Sequence, residues 1–164
     1  MKMITQDRLK ELLNFNENSG LFTWNVRRCG RAEKGAIAGS TNAIGYIQIQ
    51  VDGKNYLAHR LAWLYIHGVF PTSDIDHING NRADNRLANL REATRSENKQ
   101  NQRNANCNNS SGTFGATWHK QTKKWKAQIM LNGKNYHIGL YDTKEEAHMA
   151  YKNAKLELHP FSTL

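Results

Sequence analysis

Hydrophobic and polar positions change their spacing along the chain, and each change marks a different predicted element. Three leucines at helical spacing follow Thr5, which is placed as a helix N-cap, so a short N-terminal helix is predicted. Residues 46–51 alternate with a period of two, and the Asp52-Gly53 pair after them is typical of a two-residue hairpin turn. The apolar residues that come next recur at helical spacing, which predicts a second helix that ends at Gly68.

The C-terminal part of the chain predicts a small sheet followed by one helix. Three alternating stretches, at 115–120, 124–131 and 134–141, read as antiparallel strands. Thr143 and Glu146 have the spacing of a capping box, so a helix is predicted to begin there. The apolar stripe that we expect to cover one face of the sheet consists of Ala147, Ala150, Tyr151, Ala154 and Leu158.

A polar segment separates these two parts. Residues 103–112 have no apolar period and contain four Asn, two Ser and one Gly, which is typical of a linker. We therefore predict an α+β N-terminal part at 1–102, a linker at 103–112 and a small C-terminal domain at 113–164.

Composition narrows the class of protein. Lys and Arg number 23 against 14 Asp and Glu, a net charge of +9 that favours a polyanionic partner such as nucleic acid. The two cysteines, Cys29 and Cys107, are too far apart for a zinc knuckle and too few for a disulfide scaffold. Neither a signal peptide nor an apolar stretch of about 18 residues is visible, so we expect a cytoplasmic protein without membrane contact.

The densest polar signals lie between residues 72 and 102. Asp76 and His77 fall near the end of an alternating stretch, and the Asn79-Gly80 pair then turns the chain. A second capping box at Thr94 places Asn98 in the first turn of a helix.

These residues suit the hydrolysis of a phosphodiester bond, which needs a base, a hard divalent cation and a group that holds the base. His77 can stay neutral near pH 7 and act as the base. Asp76 and Asn98 offer the oxygen ligands that Mg²⁺ or Mn²⁺ prefers. Asn89 could orient a histidine or brace the loop. An ordinary polar surface loop is the alternative, because an Asp-His pair alone is a weak signal.

The wider pattern resembles the HNH endonuclease motif, in the branch typical of phage homing endonucleases. The segments that carry the resemblance, within a motif core at 57–102, are HRLAW at 59–63, IDHINGN at 75–81, DNRL at 84–87, NLR at 89–91, AT at 93–94 and EN at 97–98.

The resemblance implies a ββα-metal module with one divalent cation, Mg²⁺ or Mn²⁺, on Asp76 and Asn98. It implies that His77 activates water and that Asn89 shapes the loop and supports the histidine. Asn98 stands where other HNH proteins have His, and no structural zinc is expected. His59 also recurs in this branch, where packing or a phosphate contact would explain it.

Two groups of polar side chains are candidate DNA contacts. Arg91, Arg95 and Lys99 have the i, i+4, i+8 spacing of one helix face, and Arg95 and Lys99 are the stronger candidates, followed by Arg103. In the C-terminal sheet, alternation places Tyr136, Ile138 and Leu140 under the helix. We expect the opposite, DNA-facing side and its hairpin to present Thr117, His119, Lys124, Lys126, Gln128, Met130, Lys134, Asn135 and His137. An ordinary solvent-facing sheet would show the same alternation.

The C-terminal part also resembles the APETALA2-type DNA-binding domain, over about residues 110–160. The residues that carry this resemblance are Gly115, Trp118, Trp125–Ile129, Ile138-Gly139, Thr143, Glu145–Ala147 and Ala150-Tyr151. Plant members place several Arg on the strands, whereas this chain has Thr117, His119, Met130 and Asn135 there, so the plant target sequence does not carry over.

Together these patterns predict an α+β protein: a ββα-metal HNH nuclease module followed by a three-stranded antiparallel sheet with one helix. The expected activity is metal-dependent hydrolysis of double-stranded DNA, by nicking, in the cytoplasm of a host cell if the gene is phage-encoded. The sequence does not fix the oligomeric state, and a monomer is slightly favoured. A non-cleaving DNA-binding regulator is the main alternative, and RNA binding ranks below it because the basic sheet has few exposed aromatic residues for stacking on bases.

Overall fold

The computed structural model describes residues 3–27, 32–102, 109, 111–131 and 133–163. It divides the chain into two compact units, Met1–Thr94 and Arg95–Leu164, and each is described here by itself. Within the described part of the chain, no helix is long and apolar enough to cross a membrane.

The first unit is built from two hairpins, one three-stranded sheet and two helices. The sheet has the order β3-β4-β5, and β1-β2 and β6-β7 are antiparallel pairs. The elements in chain order are α1 (Gln6–Leu12), β1 (Leu13–Asn16), β2 (Leu21–Trp24), β3 (Ser40–Thr41), β4 (Ile47–Val51), β5 (Lys54–Leu57), α2 (Ala58–His67), β6 (Asp74–His77), a 3-10 turn (Leu87–Asn89) and β7 (Leu90–Ala93).

Local sequence signals set the ends of these elements as predicted. The Thr5 hydroxyl accepts a hydrogen bond from the Arg8 amide at 3.3 Å and caps α1. Asp52 and Gly53 have positive φ angles of 48° and 75°, the backbone that a two-residue hairpin turn requires. Gly68 ends α2 in the left-handed region, with φ of 78°.

One hydrophobic core holds the first unit together. Leu9, Leu13 and Leu61 are fully buried between the two helices and the strands. Ile75 and Leu90, one from each strand of the β6-β7 hairpin, belong to the same core. Ile75 and Leu90 lie on the same face of the hairpin as His77, so the strand that ends at Asp76 and His77 is anchored in this core.

The second unit is a three-stranded antiparallel sheet covered by one long helix, with a short helix before it. The order of the strands is β8-β9-β10. The bounds are α3 (Arg95–Gln100), β8 (Ala116–His119), β9 (Lys124–Leu131), β10 (Lys134–Tyr141) and α4 (Lys144–Leu158). Thr143 and Glu146 form the predicted capping box at the start of α4.

The core of the second unit depends on a close approach of backbone to an aromatic ring. Ala116, Ala127 and Ala147 are buried between sheet and helix. A Cβ atom on Gly115 would lie 2.0 Å from the ring of Tyr151, and the φ of Gly115 is +80°. Only glycine fits this position without displacement of the helix.

The predicted apolar stripe of α4 is wrong at its C-terminal end. Leu158 was expected in the apolar stripe of α4, but its side chain is 39% exposed. Lys155 is buried instead: its Nζ donates to the Gln102 carbonyl and lies 5.2 Å from the centroid of the Phe114 ring. The aliphatic stem of a lysine can pack like an apolar residue when the ammonium group finds such partners.

A β-bulge corrects the predicted face of Leu140. The pairing of β10 with β9 shifts between His137 and Gly139, so that Leu140 lies opposite Lys126. The extra residue reverses the alternation beyond that point. Leu140 is therefore 38% exposed on the face away from the helix, while Ile138 and Tyr141 pack against the helix side.

The division between the units also differs from the predicted domain boundary. Residues 95–102 were grouped with the N-terminal part, whereas the structure groups them with the C-terminal unit. Hydrogen bonds explain this: the Phe161 amide donates to Gln100 Oε1 at 3.4 Å, and the Asn101 and Thr163 side chains are 2.8 Å apart. Most of the predicted linker, with Arg103, lies outside the described residues.

Candidate active site

Asp76 and His77 are the last two residues of β6, where the strand opens into a polar loop. His77 lies opposite Leu90 in the β6-β7 register, and its carbonyl accepts a hydrogen bond from the Gly80 amide at 2.8 Å. Asp76 and His77 are only 6% and 4% exposed. The predicted position of this pair at a strand end, followed by the Asn79-Gly80 turn, is confirmed.

Side-chain amides hold the loop between β6 and β7 in one shape. Asn89 Oδ1 accepts from the Asn79 amide at 2.9 Å, and Asn89 Nδ2 donates to the Asp84 carbonyl at 2.8 Å. Asn79 Nδ2 in turn donates to Asp84 Oδ2 at 2.7 Å. Of the two roles considered for Asn89, bracing the loop is the one these contacts describe.

Asp84 carries an ion pair at the outer side of this loop. The Arg86 guanidinium donates to Asp84 Oδ1 at 2.8 Å and to Oδ2 at 2.6 Å. These hydrogen bonds are the largest cause that lowers the pKa of Asp84 to about 2. The carboxylate therefore stays ionised and keeps its contact with Asn79 throughout the neutral range.

Asn85, rather than Asn89, contacts the candidate base. Asn85 Oδ1 lies 3.2 Å from His77 Nε2, and Asn85 Nδ2 donates to the Ala83 carbonyl at 3.3 Å. Burial lowers the pKa of His77, and this outweighs the hydrogen bond to Asn85, which raises it. The imidazole is therefore neutral near pH 7, as a general base must be. The sequence signal for Asn85 was its place in the DNRL segment, which did not reveal its partner.

Two more aromatic rings surround His77. The ring of His59 meets it edge-on, with centroids 5.0 Å apart, and the Tyr46 ring lies 5.8 Å away. Burial is the largest cause that lowers the pKa of His59 to about 3, followed by the charges of His77 and Arg60. A neutral, buried ring fits the packing interpretation of His59 and not a cationic phosphate contact.

Arg82 lies at the edge of this aromatic group. Its Nη1 donates to the Ile44 carbonyl at 2.8 Å, and its guanidinium carbon lies 5.1 Å from the Tyr46 ring centroid. Arg82 also contributes a positive charge that acts on His77. The sequence contained Arg82 among several basic residues but gave it no role.

Asp76 is paired with a cation. Arg91 Nε and Nη2 donate to Asp76 Oδ2 at 2.9 and 2.7 Å, and the two residues are cross-strand neighbours. The predicted helical face of Arg91, Arg95 and Lys99 is therefore wrong in its first member, because Arg91 belongs to β7 and α3 begins only at Arg95.

The donors present suit a particular kind of cation site. Among the described residues, no group of three or more His, Cys, Asp or Glu side chains is placed to hold a metal ion. One carboxylate with amide oxygens is a donor set for a hard cation that keeps several water ligands. Asp76 supplies such a carboxylate in the first unit. Asn98, the other predicted ligand, lies in α3 of the second unit and is partly exposed, and its neighbours Arg95 and Lys99 are exposed.

The register of the C-terminal sheet defines its polar face. Lys126 pairs with Thr117 and Leu140, Lys124 with His119, Gln128 with His137, and Met130 with Asn135. We call these nine residues the polar face. Lys134, also a candidate DNA contact, pairs with Leu131 and so shares the opposite face with Tyr136. Lys124 is also within 3.0 Å of Asp142, which neutralises part of its charge.

Comparison with known proteins gives matches for part of this chain. A model of the HNH endonuclease family matches residues 56–100, which include Asp76, His77, Asn85, Asn89 and Asn98. Protein 3.8 of Escherichia phage T7 is 32% identical over 102 residues, which cover 62% of this chain and 83% of the phage protein.

A solved structure titled "DNA binding and cleavage by the HNH homing endonuclease I-HmuI" is 22% identical, with a TM-score of 0.45. The match covers 62% of this chain and 57% of that one, so the chain spans little more than half of that endonuclease.

Proposed function

This chain belongs to the HNH endonuclease family, and from that premise we propose that it is a divalent-metal-dependent endonuclease that hydrolyses phosphodiester bonds of double-stranded DNA. One HNH site acts on one strand at a time, so a monomer would nick its substrate. The observation that carries the proposal is the pair of buried neighbours Asp76 and His77 at the end of β6, with an imidazole whose pKa is lowered by burial beside a carboxyl group held by Arg91.

His77 is the proposed base. Its neutral ring accepts a proton from the attacking water, and the contacts with Asn85 and His59 limit its rotation. Arg91 holds the Asp76 carboxylate through two hydrogen bonds, so that its orientation does not depend on solvent. The Asn89 side chain hydrogen-bonds to the backbone of Asn79 and Asp84 and so holds the shape of the loop that follows both residues.

HNH nucleases generally use a divalent metal, and the oxygen donors here fit Mg²⁺ or Mn²⁺. Asp76 and Asn98 are the proposed ligands, the second on the resemblance of the motif alone. The cation would stabilise the negative charge that develops on the phosphate and on the leaving 3′ oxygen. The resulting ends would be a 5′-phosphate and a 3′-hydroxyl.

The C-terminal unit is the proposed DNA-docking part. A narrow sheet fits the major groove, where Gln128 and Asn135 could read base edges and Lys126 could contact phosphate. The resemblance of the sequence at about residues 110–160 to APETALA2-type domains supports this proposal. The exposed residues Arg95 and Lys99 of α3 would add phosphate contacts.

The decisive experiment incubates the purified chain with supercoiled plasmid and Mg²⁺ or Mn²⁺, with EDTA and a His77→Ala variant as controls. Relaxation that needs the metal and is lost in the variant supports the proposal. His67→Ala is the matched control, because His67 is an exposed histidine of the same unit and should not affect cleavage. Cleavage that survives in the His77→Ala variant contradicts the assignment of the base. Binding without cleavage, on phage DNA as well as plasmid, would favour a DNA-binding regulator.

A further inference from the structure

Asn85 is the most deeply buried polar side chain of the candidate active site. It is 2% exposed, and its amide group lies between the His77 ring and the Ala83 carbonyl. Burial of an amide at this depth is costly unless both of its ends are hydrogen-bonded. Here both ends are satisfied, one by the backbone and one by the proposed base.

The backbone contact fixes which end of the amide faces His77. Asn85 Nδ2 donates to the Ala83 carbonyl, so Oδ1 must be the atom that lies 3.2 Å from His77 Nε2. The reversed amide would bring two oxygens together at Ala83. A ring nitrogen that faces an amide oxygen has to carry the hydrogen, because the oxygen can only accept. The hydrogen-bond network thus places a hydrogen on Nε2, so Nδ1 is the ring nitrogen that can act as a base.

The backbone of Asn85 is itself held by a distant part of the first unit. A Cβ atom on Gly20, in the β1-β2 turn, would lie 2.5 Å from the Asn85 carbonyl carbon and 2.4 Å from the Arg86 amide nitrogen. The Leu87 amide donates to the Glu17 carbonyl at 3.2 Å in the same turn. The β1-β2 hairpin therefore packs directly on the peptide that carries the Asn85 side chain.

We propose that Asn85 is a positioning residue that holds His77 in the Nε2-protonated tautomer and so makes Nδ1 the nitrogen that takes the proton from water. This inference rests on the proposed function and adds to it the group that selects the reactive nitrogen. It separates two roles that the motif resemblance gave to one residue: Asn89 braces the loop, and Asn85 orients the base.

The first test is independent of cleavage. Long-range ¹H–¹⁵N spectra of the intact, ¹⁵N-labelled chain identify which nitrogen of each neutral histidine carries the proton, and His77→Ala assigns the signals. The wild type is expected to show His77 protonated at Nε2, and Asn85→Leu to show a mixture of both tautomers. Asn55→Leu, at an exposed asparagine of the same unit, should leave the wild-type pattern.

The second test separates positioning from substrate binding. In the Asn85→Leu variant kcat should fall by about 100-fold, since a misplaced general base loses most of its effect, while KM changes little. Asn85→Gln keeps both an amide oxygen that can accept from Nε2 and an amide donor for the Ala83 carbonyl, and should retain the tautomer and more of kcat than the leucine variant. This variant also covers the case in which the leucine substitution prevents folding.

Two outcomes overturn the inference. One is a wild-type His77 protonated at Nδ1, and the other is a folded Asn85→Leu variant with unchanged tautomer and kcat. A wild type that has the expected tautomer but cuts no DNA with any divalent metal would contradict the proposed function and leave the positioning of His77 by Asn85 supported.

Discussion

Arg91 donates two hydrogen bonds to a single oxygen of Asp76, its cross-strand neighbour in the β6-β7 hairpin. The carboxylate is 7% exposed and the guanidinium 24%, so the pair is largely withdrawn from water. An ion pair at that depth links the stability of the hairpin to the proposed metal ligand.

Removal of Arg91 should therefore be costly. Arg91→Leu removes two charge-assisted hydrogen bonds from a buried carboxyl group, and we expect the free energy of unfolding to fall by about 3 kcal/mol. Arg8→Leu, which breaks the exposed pair with Asp52, should cost less than about 1 kcal/mol. Urea unfolding of both variants measures the two losses in free energy of unfolding. Equal losses would contradict the argument that burial makes the Arg91 pair more costly to break.

Acidification should destabilise the first unit through His59. Its pKa is about 3 in the folded chain against 6.5 for a free histidine, so below pH 6.5 the unfolded chain takes up a proton that the folded chain does not. The contribution of His59 to the free energy of unfolding is therefore largest above pH 6.5. It decreases as the pH falls towards 3, by about 1.4 kcal/mol per pH unit. His77, whose pKa is also lowered, acts in the same direction.

Denaturant unfolding between pH 7 and pH 4.5 measures this slope. His59→Phe keeps an aromatic ring at the position and removes the titration, so its stability should depend less steeply on pH than that of the wild type. If the free energy of unfolding depends on pH equally in the wild type and in His59→Phe, His59 does not contribute to the pH dependence.

Gly115 should tolerate no side chain. In Gly115→Ala the new Cβ meets the Tyr151 ring, and separation of helix from sheet should cost about 2 kcal/mol or more. Gly112→Ala is the control, because Gly112 has a similar positive φ of 66° and nothing within 4 Å of the added Cβ. It should show only the backbone cost of about 1 kcal/mol. Thermal unfolding followed by tryptophan fluorescence distinguishes the two, and equal shifts would refute the steric argument.

Two lysines on opposite faces of one hairpin test the proposed docking surface. Lys126→Ala removes a cation from the polar face and should weaken duplex binding and lower the slope of log K against log salt by about 1. Lys134→Ala removes the same charge from the other face and should change both quantities less. Titration of each variant with duplex DNA at several salt concentrations measures both quantities. A larger effect at Lys134 would exclude the polar face as the docking surface.

The sequence predicted those features that depend on local spacing. The order of elements, the turn at Asp52-Gly53 and the strand-end position of His77 all follow from patterns within a few residues. Features that depend on the path of the chain in space were not visible. Asn85 reaches His77 only because the loop between them folds back, and nothing in its spacing marks that contact.

The corrected packing predictions have the same origin. Strict alternation placed Leu140 under the helix, and one extra residue in β10 reversed it. Helical spacing chose Leu158 for the core of α4, whereas Lys155 is buried there because a carbonyl and an aromatic ring accept its ammonium group. Arg91 was grouped with Arg95 and Lys99 by its spacing alone, although it precedes the predicted helix start at Thr94, and it lies in β7.

The contact of Gly20 with the Asn85–Arg86 peptide also bears on how small a working fragment of this protein can be. The family match begins at residue 56, yet the hairpin that supports the loop ends at Trp24. A chain truncated to the matched segment would keep every residue of the motif. It would lose the β1-β2 hairpin, which packs against the backbone of Asn85. A fusion protein that carries this motif should therefore include the chain from α1 onwards, because the recognisable motif is shorter than the unit that holds it in shape.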